Sequence, residues 1–146
     1  MQNQAPLFSP PWSQYFSWER IFLREIISDR WSKYSALVDI LPQSADPQRS
    51  AKMFSHGLKK DSFFAKATHN SYAWRCERDD GWIAEGYTDD GEKWAGKIIL
   101  REMQKSHLLN CIVVVTRYYG GVKLDADRFR HVVDASQMII EQIGKR

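Results

Sequence analysis

The sequence predicts an α/β domain of the two-layer α+β kind. Three observations carry this reading. Several short segments alternate apolar and polar residues with a period of two, the mark of a half-buried strand. Others carry an apolar stripe at helical spacing. The two kinds interleave in the order β-β-α-β-β-α-β-α, which joins strands and helices in one core. The chain of 146 residues suits one domain. That domain is expected over 19–146, after an irregular Pro- and aromatic-rich tail over 1–18.

Pro6, Pro10 and Pro11 exclude a helix from the tail. Trp12, Tyr15, Phe16 and Trp18 then crowd together, to pin the tail to the domain or to serve as a peptide ligand. Residues 20–29 read as a strand. In Lys33–Ile40, Tyr34, Ala36, Val38 and Ile40 alternate with Ser35 and Asp39, and Pro42 ends the run. Asp46-Pro47 opens a helix, with Asp as cap and Pro in the first turn. Ala51, Phe54 and Leu58 form its stripe, and Lys52, Lys59 and Lys60 decorate it.

Residues 70–77 alternate again, and Asp80-Gly81 suits a hairpin returning through Trp82–Ala84. A second helix is expected over 94–107, with Ala95, Ile98, Ile99 and Met103 inward. Cys111–Val115 is continuously apolar and β-branched, as a central strand covered on both faces would be. A third helix spans about 127–143, its stripe being Phe129, Val132, Val133, Ser136, Ile140 and Ile143.

Composition narrows the function classes. Hydrophobic residues reach 43% and charged residues 27%, which excludes the disorder signature. The net charge of +3 does not by itself indicate nucleic acid, but the charges are segregated. Residues 77–92 hold seven acids and one base, whereas 46–66 hold five bases and two acids. Cys76 and Cys111 lie in apolar runs without zinc spacing, so both are expected as reduced core residues of a cytoplasmic protein. No signal peptide or membrane-spanning run is present, so no membrane partner is expected.

Four segments are rich in polar or glycine residues. Gly120-Gly121 follows the most apolar strand and precedes a helix, flanked by Arg117 and Lys123. Such a turn can present backbone N–H groups to an anion, or can be a tight connection needing positive φ. Asp89, Asp90 and Glu92, assisted by His69, could serve a divalent metal or general acid–base chemistry. Acids before a helix also cap it and favour its dipole. Thr68-His69-Asn70 and Asp127–His131 complete the set. The four histidines lack zinc spacing, and no phosphate loop, dinucleotide fingerprint or nucleophile elbow occurs. No metal, cofactor or catalytic residue is therefore expected.

Four stretches taken in order resemble the IMPACT family in its eukaryotic form. They are ATHNSYAWR (67–75), DDGE with the following Ala95-Gly96 (89–96), LLNCIVVVTRYYGGVKL (108–124) and DRFRHVVDASQMII (127–140). The resemblance covers roughly residues 25–143. It implies a fold similar to domain 2 of ribosomal protein S5 and domain IV of elongation factor G. That fold is a four-stranded mixed sheet backed by helices, with a left-handed βαβ crossover. It also implies a non-enzymatic role in translational control during amino-acid starvation, through ribosome, RNA or protein contacts, with actin a further partner. Eukaryotic members carry an N-terminal RWD domain that engages a kinase activator. About 25 residues precede the resembling stretch, so that domain is not expected here. Asp125 and Lys97 stand where the family has glycines.

On this reading Arg117, Gly120, Gly121, Lys123, Arg128 and Arg130 form an anion, RNA or partner surface. Lys52, Lys59, Lys60 and Lys66 extend it. Thr68, His69, Asn70, Asp89, Asp90, Gly91 and Glu92 are the family's motif residues. The alternative is a small metal-dependent hydrolase or nuclease built on Asp89-Asp90-Gly91-Glu92.

Overall fold

A computed structural model describes residues 20–143. The tail expected over 1–18 lies outside the described residues. Among the described residues five strands are formed: β1 (Ile21–Asp29), β2 (Ser32–Ile40), β3 (His69–Glu77), β4 (Ile83–Thr88) and β5 (Cys111–Tyr118). Four helices accompany them: α1 (Pro47–Leu58), α2 (Ser62–Ala65), α3 (Ala95–Lys105) and α4 (Asp127–Ile143). The α+β class matches the sequence reading, and so does the element order except for α2, a further short helix between α1 and β3.

The strands lie in one sheet in the order β1-β2-β5-β3-β4. Every neighbouring pair is antiparallel. The sheet therefore has five strands rather than the four implied by the resemblance, and is antiparallel rather than mixed. Parallel relations survive only between strands separated by a third. β2 and β3 both run against β5 and are joined through α1; β4 and β5 both run against β3 and are joined through α3.

β5 sits at the centre and is buried on both faces. Cys111, Val113 and Val115 join Ala36, Val38 and Ala73 in a core closed by α3 and α4 through Ile99, Met103, Val132, Ala135 and Ile139. The alternate residues Ile112 and Val114 join Leu37, Trp74 and Cys76 in a second core, covered by Ala51 and Leu58 of α1 and Phe64 of α2. Helices thus cover both faces, and the two layers expected become three. Each large side chain fully buried in these cores contributes about 1.5–3 kcal/mol. The cysteines are free and buried, as expected, on opposite sides of the sheet. Burial pushes the Cys76 thiol up to about 11 and the Cys111 thiol up to about 12.

Local chemistry explains the boundaries. Asp46 accepts a hydrogen bond from the Arg49 amide and caps α1, with Pro47 in the first turn. Asp61 caps α2 in the same way through the Phe63 amide. Residues 30 and 31 both have positive φ, so β1 and β2 join through a two-residue turn of the primed kind. The return strand begins at Ile83 because Asp80 and Gly81 make the turn and leave Trp82 in solvent. Along α4 the buried stripe is His131, Val132, Ala135, Ser136, Ile139 and Ile143. Phe129, Val133 and Ile140, expected inward, are only half-buried. Among the described residues, no helix is long and apolar enough to cross a membrane.

Candidate functional site

The motif residues meet at one end of the sheet because of register. His69 and Tyr34 both pair with Arg117 across β5, from opposite sides. The 89–92 loop leaves β4 beside β3 and returns into α3. Thr68, His69, Asn70, Asp89, Asp90, Glu92, Arg117 and Gly120 thereby become one hydrogen-bonded assembly.

Its centre is a buried ion pair. Arg117 is 5% exposed and Glu92 3% exposed. Arg117 Nη1 donates to Glu92 Oε2 at 2.8 Å and to Oε1 at 3.1 Å. Its Nη2 donates to Ser32 Oγ at 3.3 Å, while Nε has no hydrogen-bond partner among the described residues. The guanidinium lies between the rings of Tyr34 and Tyr119, 5.6 Å from each centroid. Tyr34 donates its hydroxyl to Glu92 Oε2 at 3.5 Å, and Arg128 approaches Oε1 at 3.8 Å. Burial pushes the Tyr34 hydroxyl pKa up, with Arg117 opposing it. The carboxylate partner of Arg117 is thus Glu92, not the neighbouring Asp125 or Asp127.

The other loop acids are engaged as well. Asp89 accepts from the amides of Trp94, at 3.2 Å, and Gly96, at 2.8 Å, satisfying free donors at the start of α3. Asp90 accepts from the Asn70 amide at 2.7 Å. The His69 ring donates from Nδ1 to the Asp90 carbonyl at 2.9 Å. Ser71 Oγ donates to the Asp89 carbonyl, and Asn70 bridges Thr116 and the Phe64 carbonyl. Gly91 has φ near 85°, and a Cβ there would press on the His69 ring. Among the described residues no group of three or more His, Cys, Asp or Glu is placed to hold a metal ion.

The glycine turn divides its labour. Gly121 has φ near 92° and faces open space. Gly120 is not in the left-handed region, but a Cβ there would sit 2.1 Å from the Trp31 carbonyl carbon. The turn therefore packs directly on the β1–β2 hairpin, held by the Gly120 amide on Ser32 Oγ and the Tyr119 amide on Thr68 Oγ1. Lys123 is exposed and has no carboxylate partner among the described residues. Arg130 is exposed and reaches Asp127 at 3.5 Å. Neither joins the buried assembly.

Sequence reasoning missed a second ionic link beside the first. His131 Nε2 lies 2.7 Å from Asp29 Oδ2, Arg30 pairs with Asp29 at 3.1 Å, and Arg30 also pairs with Asp127. The Arg30 guanidinium, then the His131 ring, holds the Asp29 carboxyl down at about 2. It missed Ser32 and Tyr34 as well. The available signal was an arginine inside an apolar strand, which needs a buried acid.

The lysines and arginines of the described residues sort into two groups. Arg20, Arg24, Arg30, Lys33, Arg75, Arg78, Lys105, Arg117, Arg128 and Arg130 have carboxylate partners. Arg49, Lys52, Lys59, Lys60, Lys66, Lys93, Lys97, Arg101 and Lys123 have none among the described residues. Arg49, Lys52, His56 and Lys60 line one concave face of α1 with Met53, and no acid lines it.

Residues 31–140 match the model of the Impact N-terminal domain. The chain is 37% identical over 116 residues to human Protein IMPACT, covering 78% of this chain and 35% of the relative. It is 30% identical over 120 residues to the Protein IMPACT homolog of Dictyostelium discoideum, covering 82% and 34%. The chain thus spans about a third of the length of these curated relatives. A crystal structure of a hypothetical protein shares the fold at TM-score 0.69 and 24% identity, over 85% of this chain and 58% of that one. The structure of a two-domain translational regulator, Yih1, superposes at TM-score 0.55 and 26% identity, over 98% and 54%.

Proposed function

Because the chain belongs to the IMPACT family, we propose that it is a non-enzymatic module of translational control that binds the ribosome through its unpaired basic surface. The translational regulator among its structural relatives supports the role. The observation that carries the mode of action is the sorting of charges. Arg49, Lys52, Lys59, Lys60 and Lys66 stand exposed or at an exposed helix face, with no carboxylate to neutralise them. Unpaired cations of this kind neutralise phosphates and release counterions. α2 leads from this face into Thr68, which bonds to the Arg117–Tyr119 segment. Lys66 thereby stands near the glycine turn. At that end Lys123 is the unpaired contact residue, Arg128 and Arg130 flank it while paired with Glu92 and Asp127, and Arg117 positions the turn from beneath.

The hydrolase reading needs free carboxylates in the 89–92 loop. Asp89, Asp90 and Glu92 are each committed to amides or to Arg117, so no observation favours it. Work in the cytoplasm and a role in the response to amino-acid starvation are part of this proposal.

Co-sedimentation with purified ribosomes tests it. The wild-type chain is expected in the ribosomal pellet, and Lys52→Glu/Lys60→Glu in the supernatant with an unchanged thermal melt. Association that survives this charge reversal would move the contact elsewhere. No association at all would overturn the ribosome reading.

A further inference from the structure

A second group of unpaired cations lies on the opposite face of the sheet. Lys97 and Arg101 line a cleft of about 320 Å³ between the start of α3 and the start of α4, and Lys93 lies over the ring of its Trp94. Its apolar lining is Trp94, Ile98 and Phe129, and no acid lines it. None of the three cations has a carboxylate partner among the described residues.

The cleft has a built feature. Trp94 adopts φ near 73°, a left-handed conformation that bulky residues rarely take. The Asp89 carboxylate on its amide, and the Ala95 amide on the Glu92 carbonyl, hold it there. The result is an indole left 48% exposed at the rim, where a core position would have buried it. Strain kept at a surface aromatic points to a contact made by that ring.

We infer that this cleft docks an acidic peptide segment of a protein partner, inserting a bulky apolar side chain beside Trp94 and pairing its carboxylates with Lys97 and Arg101. Charge complementarity selects the occupant: an apolar floor rimmed only by cations suits a segment that mixes acids with apolar anchors. Nucleobase stacking is disfavoured because Lys93 and Lys97 already lie over the indole, each 5.8 Å from its centroid. The cleft's size is at the low end for whole small-molecule ligands and suits individual side chains. This surface is separate from the basic face of α1.

The probe is a fluorescein-labelled peptide of Glu, Asp, Leu and Phe with amphipathic helical spacing, titrated by fluorescence anisotropy against the full chain. Trp94→Gly removes the indole while suiting the left-handed backbone. It and Lys97→Glu/Arg101→Glu are each expected to weaken peptide binding at least about tenfold, with thermal melts confirming the fold. Lys52→Glu/Lys60→Glu is expected to leave it unchanged. The proposal is overturned if the peptide does not bind. Equal binding by the cleft variants overturns it too. So does an oligouridylate that binds through Trp94 in the peptide's place, or Trp94-dependent self-association of the chain.

Discussion

Arg117 shows how a residue's surroundings decide its role. An arginine between a core strand and a glycine turn reads from sequence as an anion contact. In the fold the strand carries it inward, and its charge is used on Glu92. A buried pair of this kind adds little net stability over a well-packed apolar pair, because both ions lose water. Removing one partner is costly, because the other charge stays buried. Arg117→Met is therefore expected to destabilise the chain by about 3–5 kcal/mol, read from the urea midpoint. Arg117→Met/Glu92→Leu is expected to recover much of that loss. Both residues belong to sequence motifs, yet the pair's work is to hold the 89–92 loop against β5 and keep the glycine turn in place. An Arg117→Met chain as stable as wild type but unable to pellet with ribosomes would make Arg117 a direct contact instead.

At the level of elements, the ionic link around Asp29 joins the β1–β2 turn to the first turns of α4. Asp29 ends β1, Arg30 lies in the turn, and Asp127 and His131 come from the helix. Arg30 and then His131 lower the Asp29 pKa from 3.8 to about 2. A depressed carboxyl favours the fold when ionised, so the link is fully present above about pH 4 and is lost as pH falls through about 2. Stability measured by urea unfolding is expected to fall across that window, and Asp29→Asn to flatten the fall. An Asp29 carboxyl that titrates by NMR near its ordinary value would refute the link. The elements themselves were legible because apolar periods of 2 and 3.6 are local properties. Their placement was less so. The stripe Ala51, Phe54 and Leu58 shows that α1 buries a face, not which side of the sheet receives it. α2 is a single turn, too short to show a period. The Arg117–Glu92 pair spans 25 residues, and no local pattern links an acid in a turn motif to a cation in a distant strand.

For the whole molecule, the sandwiched sheet explains why one modest net charge conceals two different surfaces. α1 covers one face and α3 with α4 the other, so the unpaired cations of each lie on opposite sides. The acidic stretch from Glu77 to Glu92 runs through β4 and offsets them in the sum. A net charge of +3 gives a weak long-range field, so the ribosome association proposed above would rest on local phosphate contacts and is expected to respond to salt. Each lysine on a phosphate releases counterions and adds about one unit to the slope of log affinity against log salt. Replacing Lys52 and Lys60 with alanine is therefore expected to reduce that slope by about two, as well as to weaken binding. Lys97→Ala/Arg101→Ala, on the opposite face, is expected to leave the slope unchanged. Ribosome pelleting across a potassium chloride series measures both. If the slope stays the same without Lys52 and Lys60, the basic face of α1 makes no phosphate contacts. If it falls only for the α3 pair, the ribosome binds the other side of the sheet.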